Sequence, residues 1–590
     1  MTTVWRRLRR RKLVQWALAY IAATFALIQV LDVVADSYQW SRGAMHVVFG
    51  LLLLGFVVTL VLAWYHGEKG AQRVTGPELL LIALVLAVGG GLLWHFGRQA
   101  SPVPDRVAAA GSPDGAQSKP GPLAVRPLPA KSVAVLPFVN MSGDAKNDYF
   151  SDGITEEILN ALAQVPNLKV AARTSAFAFK GKEEDLRKVG EVLDVATVLE
   201  GSVQKSGDEV RITAQLIDTR SGYHLWSEKY DRKLTSIFAV EDEISKAIAD
   251  KLRVQLGDAS RPLVAEPQVS PRAHDLYLHG LTLLAGRAHL RDAVRDFQQA
   301  LAIAPGYAQA WAKLAQTEML LPWYEHARVG TAVADAQSAV GRALTLDPDN
   351  AAAWGAQGMI DHMRWRWADA DTAFRRALRW APGDAEVINQ YAQFLSSAGK
   401  FDAASSEFRM ARMLDPLSPA IAPGLIQNLL AMHRYAEADR EAHAALEAFP
   451  NTPLSHSAAM SVALYRGHYA EAEAEARKDV ALFGSDAGVA VVIARGVSDS
   501  AGRAAAARAI ESYGGAAHEP DHAAAAEWLA LLGARDAALS SLERFAALGG
   551  GVNEGVVWSP AFDPLRNDPR FKAVLEKMGL PYVPRAGASP

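Results

Sequence analysis

The chain has 590 residues, half of them apolar, a formal net charge of −3 and no cysteine. That length accommodates several domains. The near-neutral balance, with no strongly basic domain, argues against bulk nucleic-acid affinity. The missing thiol excludes disulfides, cysteine nucleophiles and cysteine metal sites, and it permits an oxidising compartment.

The apolar excess lies at the front. Arg6, Arg7, Arg9, Arg10, Arg11 and Lys12 precede an apolar run over Leu13–Val34, and two more runs cover Ala44–Tyr65 and Pro77–Phe96. Each approaches the ~20 residues that cross a bilayer as a helix. A cleaved leader competes for the first run, but the run is too long for one and two more follow. The pattern predicts a basic tail at 1–12 and three transmembrane helices over 13–96. The positive-inside rule keeps the amino end cytoplasmic and, after three crossings, puts residues past Phe96 outside. In a bacterial inner membrane that side is the periplasm. The same rule explains the arginine run without a DNA-binding arm. Gln29 and Asp32 end the first span, with Asp32 read at headgroup level rather than on an ion path. Residues 97–130 interleave Pro102, Pro104, Pro113, Pro120, Pro122, Pro127 and Pro129 with Ala, Gly and Ser, which describes a linker.

Over 131–256 the pattern predicts a small mixed α/β domain. Ser132–Leu136 reads as an apolar strand ended by Pro137. Asp152, followed by Glu156 and Glu157, reads as a helix cap with acids in the first turn. Leu168–Phe179 reads as a strand and Leu186–Leu193 as a helix. Val198–Lys205 and Val210–Ile217 alternate around Ser206-Gly207-Asp208 as a hairpin should. Tyr223–Tyr230 gives a further strand and Ile237–Leu256 an amphipathic helix. On that last strand His224, Trp226 and Tyr230 share one face, as an aromatic recognition patch or a packed contact with the neighbouring repeats. No Gly-rich phosphate loop accompanies Asp152-Gly153.

Five stretches resemble a known family. They are Ser132–Phe138 (SVAVLPF), Phe150–Glu157 (FSDGITEE), Val170–Ser175 (VAARTS), Leu199–Val203 (LEGSV) and His224–Asp231 (HLWSEKYD). In this order they are similar to the TolB amino-terminal-like domain of bacterial membrane-anchored tetratricopeptide proteins. The resemblance implies an envelope sensory or scaffold module. In that family the same domain and repeats often follow a cyclase, a kinase or a winged-helix domain.

After a linker at 257–271, periodicity dominates 272–485. Pro348, Pro382, Pro416 and Pro450 recur every 34 residues, each closing an Ala-x-x-x-x-Pro stretch, with a further copy at Ala300–Pro305. A 34-residue period means stacked helix-turn-helix units of tetratricopeptide type. Small residues at Gly358, Ala370 and Ala377 surround the large Phe374, and Ala392, Ala404 and Ala411 surround Phe408. Small positions let helices approach, and the Phe fills the space beyond. The unit before Pro348 carries nine extra residues, between Glu318 and Asp335. Residues 486–590 read as degenerate helical repeats and a cap over the exposed end. The fold class is thus multidomain: a transmembrane helical bundle, a small mixed α/β domain and an all-α tetratricopeptide solenoid.

Such stacks bind through the first helix of each unit. The lining positions are Gln309, Gln316, His362, Glu386, Asn389, Gln393 and Gln427. Amides offer donor and acceptor to an extended peptide backbone. The alternative is plain solvation of the concave face. No zinc spacing, nucleophile elbow or phosphate loop occurs, and nothing resembles a kinase, cyclase or protease core. The expectation is a non-enzymatic chain without cofactor or metal. It would be an inner-membrane scaffold whose periplasmic repeats bind an envelope protein or peptide, without nucleic acid and compatible with a homo-oligomer. The competing function is a signalling subunit that passes an envelope signal to a separate cytoplasmic effector.

Overall fold

The computed structural model describes residues 129–582, apart from stretches at 183, 235–236, 253–268, 288, 326, 484–487, 500–501, 514–521 and 552–553. These residues belong to one compact unit that starts at Ala124. The membrane part of the expected architecture is corrected here. Among the described residues no helix is long and apolar enough to cross a membrane. The apolar runs over 13–96 lie outside the described residues, as do the basic tail and nearly all of the linker. What the structure contains is a small mixed sheet domain joined to a helical solenoid. Among the described residues no helix supports the expected integral-membrane anchor or periplasmic location.

The sheet domain uses Ser132–Val135 (β1), Val139–Asn140 (β2), Lys169–Val170 (β3), Thr197–Ser206 (β4), Glu209–Asp218 (β5) and His224–Lys233 (β6). The order is β3-β1-β4-β5-β6, with β2 also beside β4. Strands β1, β2 and β3 run parallel to their neighbours, and β4-β5-β6 is an antiparallel meander. Every residue of β1 is buried, as expected of a parallel strand covered on both faces. Helices Asp148–Ala163 (α1), Arg173–Phe177 (α2), Leu186–Leu193 (α3) and Ile237–Lys251 (α4) complete the domain.

Two local expectations change. The first helix begins at Asp148, so Asp152 lies inside it and its carboxylate receives Lys180 Nζ at 2.7 and 2.6 Å. The strand expected over Leu168–Phe179 stops after Val170, and the chain turns into α2. The helix there is fixed by a distant partner: the Ser175 backbone N–H and hydroxyl both donate to Asp415 Oδ1, at 3.1 and 2.6 Å.

Among the described residues eight helical hairpins follow. They are Pro271–Gly286 with Leu290–Ile303 (α5, α6), Ala308–Tyr324 with Val329–Leu346 (α7, α8), Ala351–Met363 with Trp367–Trp380 (α9, α10) and Ala385–Ser397 with Phe401–Leu414 (α11, α12). Then come Ile421–Ala431 with Tyr435–Ala448 (α13, α14), Pro453–Tyr465 with Tyr469–Phe483 (α15, α16), Gly488–Ser498 with Arg503–Tyr513 (α17, α18) and His522–Leu531 with Arg535–Ala547 (α19, α20). The 34-residue prolines sit just past the ends of α8, α10, α12 and α14, where a helix cannot continue. The Asn350 and Asp384 side chains cap α9 and α11. A Cβ on Gly358 would lie 2.8 Å from the buried Phe374 ring, so the small-then-large spacing is a packing requirement. The nine extra residues lengthen α7 and α8 to 17 and 18 residues.

The end of the chain folds back instead of merely covering the last hairpin. Two short 3-10 turns, Glu554–Trp558 and Pro560–Leu565, precede a final helix, Pro569–Lys577 (α21). Trp558 Nε1 donates to the Ser397 carbonyl at 2.8 Å, and Trp367 Nε1 donates to the Met578 carbonyl at 2.7 Å. The Gly551 N–H donates to the Met363 carbonyl at 2.9 Å. The tail therefore braces the helix-to-helix turns of the third and fourth hairpins.

Candidate binding groove

The sheet domain meets the solenoid at two places. At one, α1 packs on α5. A Cβ on Gly153 would stand 2.7 Å from the Leu278 side chain, so glycine permits this approach. Tyr149 Oη donates to Asp275 Oδ1 at 2.6 Å, and Lys205 Nζ reaches the same oxygen at 2.8 Å. At the other, the domain grips the loops that follow the third and fourth hairpins. The Gly383 N–H donates to the Ala163 carbonyl at 3.1 Å, and the Ala172 N–H donates to the Leu414 carbonyl at 2.8 Å. Asp415 receives Ser175, whose hydroxyl oxygen accepts the Leu417 N–H at 2.8 Å.

Between these anchors lies α11, which carries Glu386, Asn389 and Gln393, with Gln427 next along on α13. Gln393 and Gln427 are exposed and Asn389 half-buried. The Asn389 Oδ1 and Gln390 Oε1 atoms are buried and accept no hydrogen bond from the described residues. The other expected lining residues are elsewhere. Gln309 is half-exposed on α7 and Gln316 is buried there. His362 packs against Trp367 and Phe394, with ring centroids 5.8 and 5.6 Å away, and burial pushes its imidazole down to about 3.

Three cations of this region were not among the expected site residues. Arg287, in the left-handed turn after α5, reaches Glu386 at 2.5 Å. Arg173 on α2 pairs with Glu156 on α1 at 2.9 Å. Lys313 lies one turn from both Gln309 and Gln316 and acts electrostatically on Glu157 and Glu386. Burial pushes the Glu386 carboxyl up, but Arg287, then Lys313 and Arg173, outweigh it and hold the group below its ordinary value. Its side chain keeps 46% exposure, so solvent screens these interactions. Acid and base are therefore balanced around Glu386, next to the exposed amide of Gln393. Lys313 was legible in its phase with the two glutamines. Arg287 and Arg173 had no sequence signal, because different elements bring them in.

Behind this wall, where α1, α4, α5 and α7 meet, lies a buried acidic pair. Glu241 on α4 is fully buried, and neither carboxylate oxygen has a hydrogen-bond partner among the described residues. Glu157 on α1 accepts from Tyr277 Oη at 3.0 Å. Burial pushes Glu157 up to about 7 against the pull of Lys313. Burial, then repulsion from Glu157, holds Glu241 well above the ordinary carboxylate range. Two carboxylates this desolvated do not both ionise near neutrality. His274 Nδ1 lies 3.2 Å from Tyr307 Oη, and burial pushes its imidazole down to about 3.

The three aromatic residues on β6 do not form one surface. Tyr230 is buried, Trp226 half-buried and His224 exposed. Both Trp226 Nε1 and Tyr230 Oη donate to Glu228 Oε2 at 3.2 Å. A bulge opposite Leu216/Ile217 breaks the alternation, so His224 pairs with Ile217 and leaves the Trp226 face. Among the described residues no group of three or more His, Asp or Glu could hold a metal ion.

No family model matches the chain. "Putative adenylate cyclase 3" of Rhizobium meliloti (strain 1021) is 44% identical over 223 residues, 36% of this chain and 38% of that protein. The chain thus aligns with well under half of that relative's length. Solved structures are similar over parts of the chain. PilF of Pseudomonas aeruginosa is 18% identical, covering 42% of this chain and 94% of its own, with a TM-score of 0.26. A tetratricopeptide repeat protein of Parabacteroides merdae ATCC 43184 is 13% identical, covering 52% of this chain and 100% of its own, with a TM-score of 0.30. The repeat assignment stands on helix phase and packing. The relative's name corrects one expectation: a chain similar to a protein named as a cyclase is not to be read as devoid of enzymatic activity.

Proposed function

We propose that the chain is a protein-interaction scaffold whose solenoid takes an extended segment of a partner protein along α11 and α13. One observation carries this reading. Asn389 and Gln393 on α11 and Gln427 on α13 sit on successive first helices, and Gln393 and Gln427 are exposed. Exposed amides of this kind offer both donor and acceptor to the backbone of an extended partner segment. The sheet domain, which we place with TolB amino-terminal-like domains on the residue stretches quoted above, holds α5 and the loops on either side of the α11–α12 hairpin. The experiment is a crosslinking pull-down with the full chain, comparing wild type with Asn389→Ala/Gln393→Ala and Gln393→Trp. Loss of the same partner band in both variants supports the groove, and unchanged partners rule it out.

A second reading rests on the identity to the Rhizobium meliloti protein. In it the chain takes part in forming cyclic AMP from ATP, and the repeats recruit the protein that regulates that step. Incubating the full chain with ATP and Mg²⁺ and measuring cyclic AMP tests this reading. No product above a heat-denatured control, with and without added partner, removes it.

A further inference from the structure

We propose that β6 is a self-pairing edge, through which two copies of this chain join their sheets antiparallel, centred on Tyr230. The proposal is independent of the groove and of any cyclase activity. Among the described residues β6 is the end strand of the sheet and pairs only with β5. It is ten residues long and contains no proline. Its bulge lies at its first end and leaves Trp226 to Lys233 in regular register. Edges that stay single are usually short, kinked by a bulge or proline, or blunted with charges, Lys above all. This edge instead carries both signs, arranged symmetrically about one residue: Glu228, Lys229, Tyr230, Asp231, Arg232.

Antiparallel pairing reverses one copy against the other. With Tyr230 opposite Tyr230, Lys229 falls opposite Asp231 and Glu228 opposite Arg232, each pair occurring twice by symmetry. Ser227 falls opposite Lys233. Trp226 falls opposite Leu234, and both are partly buried apolar side chains at the rim of the core. The registers two residues away fail. Centring on Lys229 sets Lys229 against itself. Centring on Asp231 sets Asp231 against itself and Lys229 against Lys233. Directly opposed like charges destabilise a strand pair, and opposite charges support it. A shift by one residue would set the apolar face of one sheet against the polar face of the other.

The charges are available for this role. Lys229 and Asp231 keep 50% and 56% side-chain exposure, and their own separation is 3.6 Å. Asp231 also pairs with Arg211 at 2.6 Å, and Arg232 with Glu243 at 3.4 Å. Exposed pairs of this kind contribute little, so sharing them with a second copy gives up little. The new backbone ladder supplies the attraction, and the charge pattern sets the register.

The test uses the full chain. Lys229→Asp makes both copies acidic at the paired positions, and Asp231→Lys makes both basic. Each variant alone is expected to dimerise about tenfold or more weakly than wild type by light scattering or sedimentation. An equimolar mixture restores the dimer, since each variant then meets its complement, and that rescue also shows that both variants fold. The absence of native cysteine permits a register test. Ser227→Cys mixed with Lys233→Cys should oxidise to a mixed disulfide, because opposed residues lie about 4.5–5.5 Å apart between Cα atoms. Like positions would be roughly 20 Å apart and should not link. A monomeric wild type, dimers unaffected by either charge reversal, or disulfides between like positions would overturn the proposal.

Discussion

Glu157→Gln isolates the charge at the joint between the sheet domain and the solenoid. The glutamine keeps an acceptor for Tyr277 and cannot ionise. In the wild type Glu157 moves from an ordinary 4.5 to about 7 on folding, chiefly through burial. A carboxyl raised in this way leaves stability whole below pH 4.5 and removes it as pH climbs through 7. The loss at pH 8 is about 3 kcal/mol, and at pH 5 it is below about 1 kcal/mol. Hydrogen exchange of the α1, α4 and α5 amides reads this locally, even if other hairpins open separately. Comparing variant and wild type at the same pH cancels intrinsic exchange rates. The variant should exchange on the order of a hundredfold more slowly at pH 8 and less than about tenfold more slowly at pH 5. A ratio that is the same at both values, or larger at pH 5, would refute a buried, proton-holding pair of Glu157 and Glu241.

Other substitutions probe the remaining contacts. His362 works in the opposite direction: its imidazole drops from 6.5 to about 3, so its contribution is whole above 6.5 and lost as pH falls toward 3. His362→Leu should therefore lose about 2 kcal/mol less than wild type between pH 7 and pH 5, seen in exchange of α9 and α11. Gly153→Ala forces a methyl into Leu278; overpacking of about 1–3 kcal/mol outweighs a helix-propensity gain of under about 1 kcal/mol. Limited proteolysis should cut its α1–α5 joint faster than in wild type. Ser175→Ala strips a donor from the buried Asp415 and should cost about 1–3 kcal/mol, with faster exchange confined to 171–177 and 414–418. The Arg287–Glu386 pair is half-exposed, so Arg287→Met should change stability by less than about 1 kcal/mol by denaturant titration.

The solenoid was legible because its cause is local and repeated. A proline past each hairpin and a Phe over a small residue, as with Phe374 over Gly358, need no knowledge of distant contacts. The β4–β5 hairpin was legible for the same reason. What the sequence concealed is tertiary. Arg173–Phe177 looked like a continuing strand because the helix depends on Asp415, 240 residues further along. Asp152 looked like a cap because acids follow it, but the helix starts at Asp148 and the partner of Asp152, Lys180, lies beyond β3 and α2. The aromatic face of β6 was lost to a bulge that no composition rule places. Asn389 and Gln393 lie on α11 and Gln427 on α13. The cations that neutralise the groove's acids come from the sheet domain, from α7 and from the turn after α5, and only folding brings them together. The membrane reading followed from apolar runs and the basic residues that flank them, all outside the described residues, and the described residues contain no helix of that kind.

A photocrosslinking residue placed at Gln393 tests the groove most directly, with the same probe at exposed Arg409 on α12 as the comparison. With the full chain in its own cells, the scaffold account predicts a discrete crosslinked protein from Gln393, weakened by Gln427→Trp, and none from Arg409. Equal crosslinking at both positions, or none at Gln393, would contradict a partner seated along α11 and α13.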